Sequence, residues 1–205
     1  MLFAANSSST TEVDLVNLVD ENDRIIDSLC KIEAHRGDGR LHQAISLFIF
    51  APKQRGTWQL LIQKRSGKKI VGANKWANTL CANVRPGESH RECLQRRLRE
   101  ELGIDYQTLP RQAEEVYTFR YHLPCEKGFA ENEIDHFFVL TLSAEEAEQL
   151  QITPNQAEVS QYAWVDWSAL KKGRAGSYQL APWFQLFLQT PAVTSCLEAV
   201  VAPIK

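Results

Sequence analysis

The chain has 205 residues, of which 23 are basic and 25 acidic, so its net charge is −2. This length suits one domain with a sizeable core, and the balanced charge predicts neither a nucleic-acid-binding nor a membrane-surface protein. Five cysteines without paired spacing favour a reducing compartment. There is no apolar run that could span a bilayer and no signal-peptide pattern, so we expect a cytoplasmic protein.

The elements can be predicted in chain order. Residues 1–11, rich in Ser and Thr, predict a disordered tail, and residues 12–205 a single domain. Alternating or apolar runs predict strands at 13–19, 43–50, 58–63, 76–84, 116–122, 134–142 and 162–165. Helices are expected at 88–103, 144–150, 167–171, 183–188 and 194–201. This order predicts a mixed sheet with helices packed against it, an α/β (α+β) sandwich.

The stretch at 81–104, CANVRPGESHRECLQRRLREELGI, predicts a strand, a loop and a helix. Glu88 is expected to open the helix, and Gly103 sits where a left-handed C-cap glycine belongs. A buried stripe is predicted by three leucines spaced four apart, Leu94, Leu98 and Leu102. Arg97 and Glu101 share another face. Such a pair could hold an anionic ligand and a metal ion together, or could be a solvated ion pair.

The same helix resembles the Nudix box in its spacing: Gly, five residues, Glu, seven residues, then Arg-Glu-apolar-any-Glu-Glu-any-Gly-apolar. Two positions depart from it. Ala82 stands where the first Gly belongs, and Arg97 stands where a metal-binding Glu belongs. The loss of that Glu argues against ordinary pyrophosphate hydrolysis.

Two pairs of potential metal ligands lie outside this helix. His35 and His42 are separated by a Gly turn and could converge on a metal, or could both lie on the surface. Glu131 and Glu133 are two apart, so on a strand they point the same way. Like charges held together need a cation or a proton between them. The alternative for the two carboxylates is an exposed acidic strand end.

A cysteine and a basic set could also carry chemistry. Cys81 shares a strand face with Asn83, and a lone Cys in a strand is either reactive or a small core residue. Basic side chains suited to phosphate oxygens, unless they are merely solvated, are Lys31, Arg65, Lys68, Lys69 and Arg97.

Together these pieces resemble the Nudix-fold type I isopentenyl-diphosphate isomerases, across roughly residues 13–190. Lys31 is followed by His35 and, seven residues later, by His42. The other matching pieces are LVNLVDENDRII, RLHQAISLFIF, QKRSGKK, KWANTLC, the Arg-Arg form of the Nudix helix, FRYH, ENEID and APWFQLFL. Arg97 does not fit the hydrolase box, but an arginine at this position is typical of the isomerase family. The resemblance implies the Nudix-type α/β/α sandwich.

The resemblance also implies roles. A divalent metal would be bound by four residues, His35, His42, Glu131 and Glu133. Cys81 would be one catalytic acid/base, Glu133 with Tyr121 the other, and Trp183 would lie beside the reacting carbons. The diphosphate would be held by Lys31, Arg65, Lys69 and Arg97, and Glu101 would bind a Mg²⁺ ion bridging to it. The reaction would interconvert isopentenyl and dimethylallyl diphosphate, in isoprenoid biosynthesis, through a tertiary carbocation.

One position departs from the family. The family has a third metal-ligand histidine two residues after the catalytic Cys, and here that residue is Asn83. An amide oxygen suits Mg²⁺ or Mn²⁺ better than zinc, so Asn83 is either a distant oxygen ligand or replaced by water.

Two alternatives stay open, a Nudix diphosphate hydrolase and a catalytically impaired isoprenoid-diphosphate-binding protein. The expected partner is a small isoprenoid diphosphate, without nucleic acid or membrane insertion, and the oligomeric state is left open.

Overall fold

The computed structural model describes residues 14–53, 56–174, 176 and 178–201. In this part of the chain nine strands form one sheet. The strands are β1 (Leu15–Val19), β2 (Ile25–Cys30), β3 (His42–Lys53), β4 (Thr57–Arg65), β5 (Trp76–Ala77), β6 (Leu80–Asn83), β7 (Glu114–Pro124), β8 (Ala130–Thr141) and β9 (Val159–Asp166). The helices are α1 (Lys31–His35), α2 (His90–Leu102), α3 (Ala144–Gln149), α4 (Trp167–Lys171), α5 (Pro182–Gln189) and α6 (Pro191–Val200). None of the helices in these ranges has the length and apolar character of a membrane span.

Strand β3 lies at the centre of the sheet. It pairs antiparallel with β1, β4 and β6, and parallel with β8, so the sheet is mixed. Strand β7 extends the sheet beyond β8, and β9 pairs with β4. Because β3 is covered on both faces, its side chains from 42 to 51 are all buried. An apolar run without strict alternation is typical of such a strand.

Two hydrophobic layers cover the two faces of the sheet. Alternate residues of β3 point to opposite sides, so Ile45 and Leu47 pack under α2 while Phe48 and Phe50 belong to an aromatic layer with Phe187 of α5. These layers confirm the predicted α/β/α sandwich.

The helix α2 is fixed at both ends. Ser89 accepts a hydrogen bond from the Glu92 backbone N–H, and the Glu92 carboxylate accepts from the Ser89 N–H, which is a capping box. Gly103 ends the helix at φ 66°. The predicted leucine stripe is confirmed, since all three leucines are fully buried. The prediction that Glu88 opens the helix is wrong, because α2 begins at His90 with Ser89 as its N-cap. The Glu88 carboxylate instead accepts from the Arg96 guanidinium.

Most of the remaining predicted strands and helices are confirmed, and two elements were missed. The helix predicted at 167–171 has the predicted ends, and the strand predicted at 76–84 is divided into β5 and β6. The other predicted strands and helices are present with shifted ends, and β2 and α1 were missed. The alternative of an exposed acidic strand end is excluded, because β8 begins at Ala130 and buries Glu131 and Glu133. The predicted tail at 1–11 lies outside the described residues, as does Val13 of the first predicted strand.

Candidate active site

A cavity of about 530 Å³ opens on the aromatic face of the sheet. Its wall is built from α1, the loop after β4, β6, one face of α2, β7, β8 and α5. Twelve of the predicted site residues line it: Lys31, His35, Arg65, Lys68, Lys69, Cys81, Asn83, Arg97, Tyr121, Glu131, Glu133 and Trp183. Two predicted residues do not line it. His42 is fully buried behind the wall, and Glu101 lies beneath Arg97.

Four buried metal-ligand side chains converge at one end of the cavity. The parallel register of β3 and β8 sets His42 opposite Glu133, and the His42 Nε2 atom lies 3.2 Å from Glu133 Oε1. The His35 Nε2 atom lies 3.1 Å from Glu131 Oε2. One ligand atom from each of the four residues lies within 4.8 Å of the others.

The histidine tautomers show that a cation fits this cluster. The His35 Nδ1–H donates to the Lys31 carbonyl, and the His42 Nδ1–H to the Arg40 carbonyl, each at 2.7 Å. Both rings therefore turn Nε2 toward the carboxylates, and the His42 Nε2 is buried without a hydrogen-bond partner. Histidines held in this way by a second hydrogen bond are typical of metal ligands.

The charges of the cluster agree with this arrangement. Burial disfavours charge on His35, but the hydrogen bond and charge of Glu131 raise the pKa of its imidazole. Burial likewise opposes charge on Glu131, yet the hydrogen bond with His35 lowers the pKa of that carboxyl. A divalent cation would replace the proton that now joins the two side chains.

Asn83, the departure from the family pattern, points into this cluster. Its side chain is half-buried and its Nδ2 donates to Glu133 Oε1 at 3.0 Å. The Asn83 amide thus contacts one of the four candidate metal ligands and acts as a hydrogen-bond donor to it.

The Cys81 thiol lies on β6, across β3 from the carboxylates. It donates to Asn78 Oδ1 at 2.9 Å, and Ser46 Oγ lies 3.4 Å from its sulfur. The Asn78 amide nitrogen donates to two backbone carbonyls, which fixes Oδ1 toward the sulfur. Burial and the nearby Asp135 raise the pKa of the thiol, so Cys81 holds its proton.

Glu133 has a second partner in Tyr121. The Tyr121 hydroxyl donates to Glu133 Oε2 at 2.5 Å. Burial and the charge of Glu133 raise the pKa of the phenol, so it remains a donor. A proton donor on β6 and a carboxylate on β8 therefore face the same cavity.

Cations line the other end of the cavity. Lys69 and Arg97 both pair with Glu158, and the Arg97 guanidinium also pairs with Glu100 and Glu101. Arg65 donates to the Val71 carbonyl at 3.0 Å, and its guanidinium carbon lies 4.9 Å from the centre of the Trp183 ring. The cavity thus has a cationic end and an end with a thiol, a carboxylate and an indole.

Comparison with known proteins agrees with this geometry. A family model described as NUDIX domain matches residues 40–184. An isopentenyl-diphosphate Delta-isomerase 1 of Aromatoleum aromaticum is 38% identical over 189 residues, covering 92% of this chain and 93% of that relative. An isopentenyl-diphosphate Delta-isomerase of Streptomyces coelicolor is 35% identical over 192 residues, covering 92% and 90%. The chain belongs to the isopentenyl-diphosphate Delta-isomerase family of NUDIX-domain proteins.

A solved structure supports the fold. The crystal structure of DR0079 from Deinococcus radiodurans aligns with a TM-score of 0.62 and 19% identity, covering 89% of this chain and 98% of that one. At this identity the likeness concerns the fold alone.

Glu101 does not line the cavity, although the family resemblance predicts that it binds a Mg²⁺ ion there. It is 2% exposed; one of its oxygens is held by Arg97, and the other accepts from Gln63 Nε2 at 2.8 Å. Burial opposes charge here, but the Arg97 guanidinium lowers the pKa of the Glu101 carboxyl. Arg97 therefore lies between this carboxylate and the cavity.

Sequence reasoning missed four polar residues around the site, which are Ser46, Asn78, Asp135 and Glu158. Asp135 continues the alternation of Glu131 and Glu133, so the spacing of two could have found it. It accepts from Ser46 Oγ at 2.7 Å. Asn78 and Glu158 gave no local signal, because each acts through contacts that only the folded sheet creates.

Proposed function

We propose that this chain interconverts isopentenyl diphosphate and dimethylallyl diphosphate. The observation that carries the proposal is one cavity that joins a cation cluster to a protonated Cys81 thiol and a Glu133 carboxylate. The relatives' names give isopentenyl diphosphate as their substrate. The proposal assigns the cationic end to the diphosphate and the other end to the five-carbon chain.

The reaction needs an acid and a base. The acid protonates the terminal carbon of an unactivated double bond, which gives a tertiary carbocation, and the base then removes a proton from the neighbouring carbon. We assign the acid to Cys81, whose S–H bond breaks as the C–H bond forms. Glu133 accepts the second proton, and the Tyr121 hydroxyl orients it. Solvent exchange then returns a proton to the thiol and removes one from the carboxyl.

Trp183 is assigned to the carbocation. An indole face attracts a cation by about 2 kcal/mol when the pair is desolvated. The Arg65 guanidinium already lies over this ring, which supports the assignment. Trp183 is 3% exposed, so little water reaches the ring itself.

The diphosphate is assigned to the cavity's basic side chains, Lys31, Arg65, Lys69 and Arg97. Charge-assisted hydrogen bonds to phosphate oxygens are stronger than neutral ones. In the structure Glu158 already engages Lys69 and Arg97, so the diphosphate would compete with this carboxylate.

Two divalent cations complete the proposal. The first would be held by His35, His42, Glu131 and Glu133, with Asn83 at its edge. It would supply positive charge that keeps the two carboxylates together. We assign Mg²⁺ or Mn²⁺ rather than zinc, because carboxylate and amide oxygens suit harder cations. Glu101 would hold the second, a Mg²⁺ ion that would supply positive charge beside the diphosphate, if the Arg97 guanidinium that now pairs with Glu101 moved away.

Turnover of isopentenyl diphosphate in D₂O tests the proposal. The expected result is deuterium in both isomers, absent with Cys81→Ala. A diphosphate hydrolase would instead release phosphate or a monophosphate. A protein that only binds the substrate would give neither product, and either of these results would overturn the isomerase proposal.

A further inference from the structure

A second group of titratable side chains lies on the face of the sheet opposite to the cavity. In β8 the carboxylate of Glu133 points to the cavity, so His136, three residues on, points to the other side. There it meets Asp23 from the turn after β1, His90 at the start of α2, and Glu115 of β7. Four separate parts of the chain thus supply this group.

His136 has a carboxylate at each ring nitrogen. Its Nδ1 lies 2.7 Å from Glu115 Oε1, and its Nε2 lies 2.9 Å from Asp23 Oδ2. The other Asp23 oxygen accepts from Gln43 Nε2 at 3.0 Å. The His90 ring lies against the His136 ring, with 3.8 Å between their centres. One ligand atom each from Asp23, His90 and His136 lies within 4.8 Å of the others.

A simple ion pair explains only part of this geometry. A His136 imidazolium could donate to both carboxylates beside a neutral His90 ring, but the His90 Nδ1 atom would then lie 4.0 Å from Glu115 Oε2, too far for a hydrogen bond. A metal ion bound by both His90 and His136 would explain why the two rings lie together. His136 Nδ1–H would donate to Glu115, as metal-bound histidines donate to a carboxylate, and Nε2 would be free for the ion. Asp23 would offer the ion one oxygen while Gln43 holds the other.

We propose that Asp23, His90 and His136 form a second divalent-metal site, with Glu115 and Gln43 orienting the ligands. Two imidazole nitrogens and one carboxylate oxygen suit zinc and similar transition ions rather than magnesium. The ion would tie the turn between β1 and β2 to α2 and β8. Asp23 adopts φ 62°, a left-handed conformation that Asp tolerates and that belongs to this turn.

Zinc titration of the purified protein in excess Mg²⁺, followed by calorimetry and metal analysis, tests the site. Wild type is expected to bind two zinc ions per chain, because the two imidazoles of the His35 cluster let added zinc displace the Mg²⁺ or Mn²⁺ assigned to that cluster. His90→Gln should bind one, His35→Gln one, and the double variant none. His122→Gln is the matched control and should bind two, since His122 is exposed and bonds the Asp38 carbonyl.

His90 is preferred to His136 for the test because its side chain is 25% exposed, so its replacement leaves the core intact. In the His35→Gln background, zinc should raise the melting temperature, and this rise should vanish with His90→Gln. Isomerase activity of His90→Gln should equal that of wild type, so the test is independent of the proposed reaction. Unchanged zinc content in His90→Gln, or wild-type binding of a single ion that His35→Gln removes, would overturn the proposal and leave an ion-paired imidazolium.

Discussion

The hydrogen bonds at Cys81 determine which protonation state the sulfur holds. Asn78 Oδ1 can only accept, and its amide nitrogen is tied to backbone carbonyls, so the sulfur must donate. The Ser46 hydroxyl donates to Asp135, which leaves it facing the sulfur with a lone pair. A thiolate would meet two acceptors here. The site is therefore suited to a thiol that delivers a proton rather than to a nucleophilic thiolate.

Replacement of Cys81 tests this view directly. Cys81→Ala should lower kcat by a factor of about 10²–10⁴, the usual contribution of a positioned acid. Binding of isopentenyl diphosphate, measured by calorimetry, should stay unchanged because the cations lie elsewhere in the cavity. Cys196→Ala is the control, since that cysteine lies on α6 and bonds the Val116 carbonyl. Wild-type turnover in Cys81→Ala would remove the thiol from the mechanism.

Asn83 permits a test of the metal cluster that adds a ligand instead of deleting one. Asn83→His should tighten Mn²⁺ binding about tenfold, which corresponds to ~1.4 kcal/mol, because the side chain already points at Glu133. Calorimetric affinity and the dependence of rate on Mn²⁺ concentration measure the effect. Asn83→Ala serves as the control and should not tighten binding. If the histidine variant binds no better than wild type, position 83 lies outside the coordination sphere.

At the scale of elements, local patterns predicted most of the fold. The helix α2 was predicted from its leucine spacing and Gly103, and its true start was also available in the Ser89–Glu92 capping box. Strand β2 was missed because its pattern is mostly exposed, with Ile25 60% and Ile26 61% exposed, so no buried face marks it. The five-residue α1 is too short for a helical period.

The site was predicted less completely than the fold, for a physical reason. Motif spacing and family resemblance identify side chains that act on a ligand, such as His35 and Cys81. They do not identify side chains that pair with those residues across the sheet. Glu158 is 61 residues from Arg97 in sequence, and Asp23 is 113 residues from His136. Such pairs exist only after the strands have assembled.

Arg97 of α2 has two roles: it is assigned to the diphosphate, and it pairs with the buried Glu101. Replacing Arg97 should therefore have two effects. Arg97→Gln should weaken isopentenyl diphosphate binding at least tenfold, since a hydrogen bond to a charged group contributes about 1.5–3 kcal/mol. It should also lower the unfolding free energy by about 3–5 kcal/mol, because Glu101 would be buried without its partner.

A double variant separates the two tasks of Arg97. Arg97→Gln with Glu101→Gln should recover most of the stability in denaturant unfolding, while substrate binding stays weak. Arg99→Gln is the control, because its side chain is 69% exposed, and it should change both quantities little. Unchanged substrate affinity in Arg97→Gln would mean that the diphosphate does not reach this face of the helix.

At the scale of the whole molecule, the cavity joins elements that are distant in the chain through opposite charges. Glu158 precedes β9 and holds Lys69 from the loop after β4 and Arg97 from α2. The His35 cluster likewise joins α1 to β3 and β8. Stability and ligand binding therefore depend on the same charged groups, and conditions that neutralise them should affect both.

Acid should lower the unfolding free energy, because it protonates the Glu158 carboxylate. Burial opposes its charge, but Lys69 and Arg97 lower the pKa of the carboxyl from 4.5 to about 2. A group with a lowered pKa in the folded state stabilises the fold above its unfolded pKa, and this contribution is lost as pH falls toward the folded value. The stability difference between wild type and Glu158→Gln should thus be constant above pH 4.5 and shrink between 4.5 and 2. Urea unfolding at several pH values measures it, with Glu148→Gln, exposed on α3, as the control. A difference that does not change with pH would show that the Glu158 carboxylate does not hold the two cations in solution.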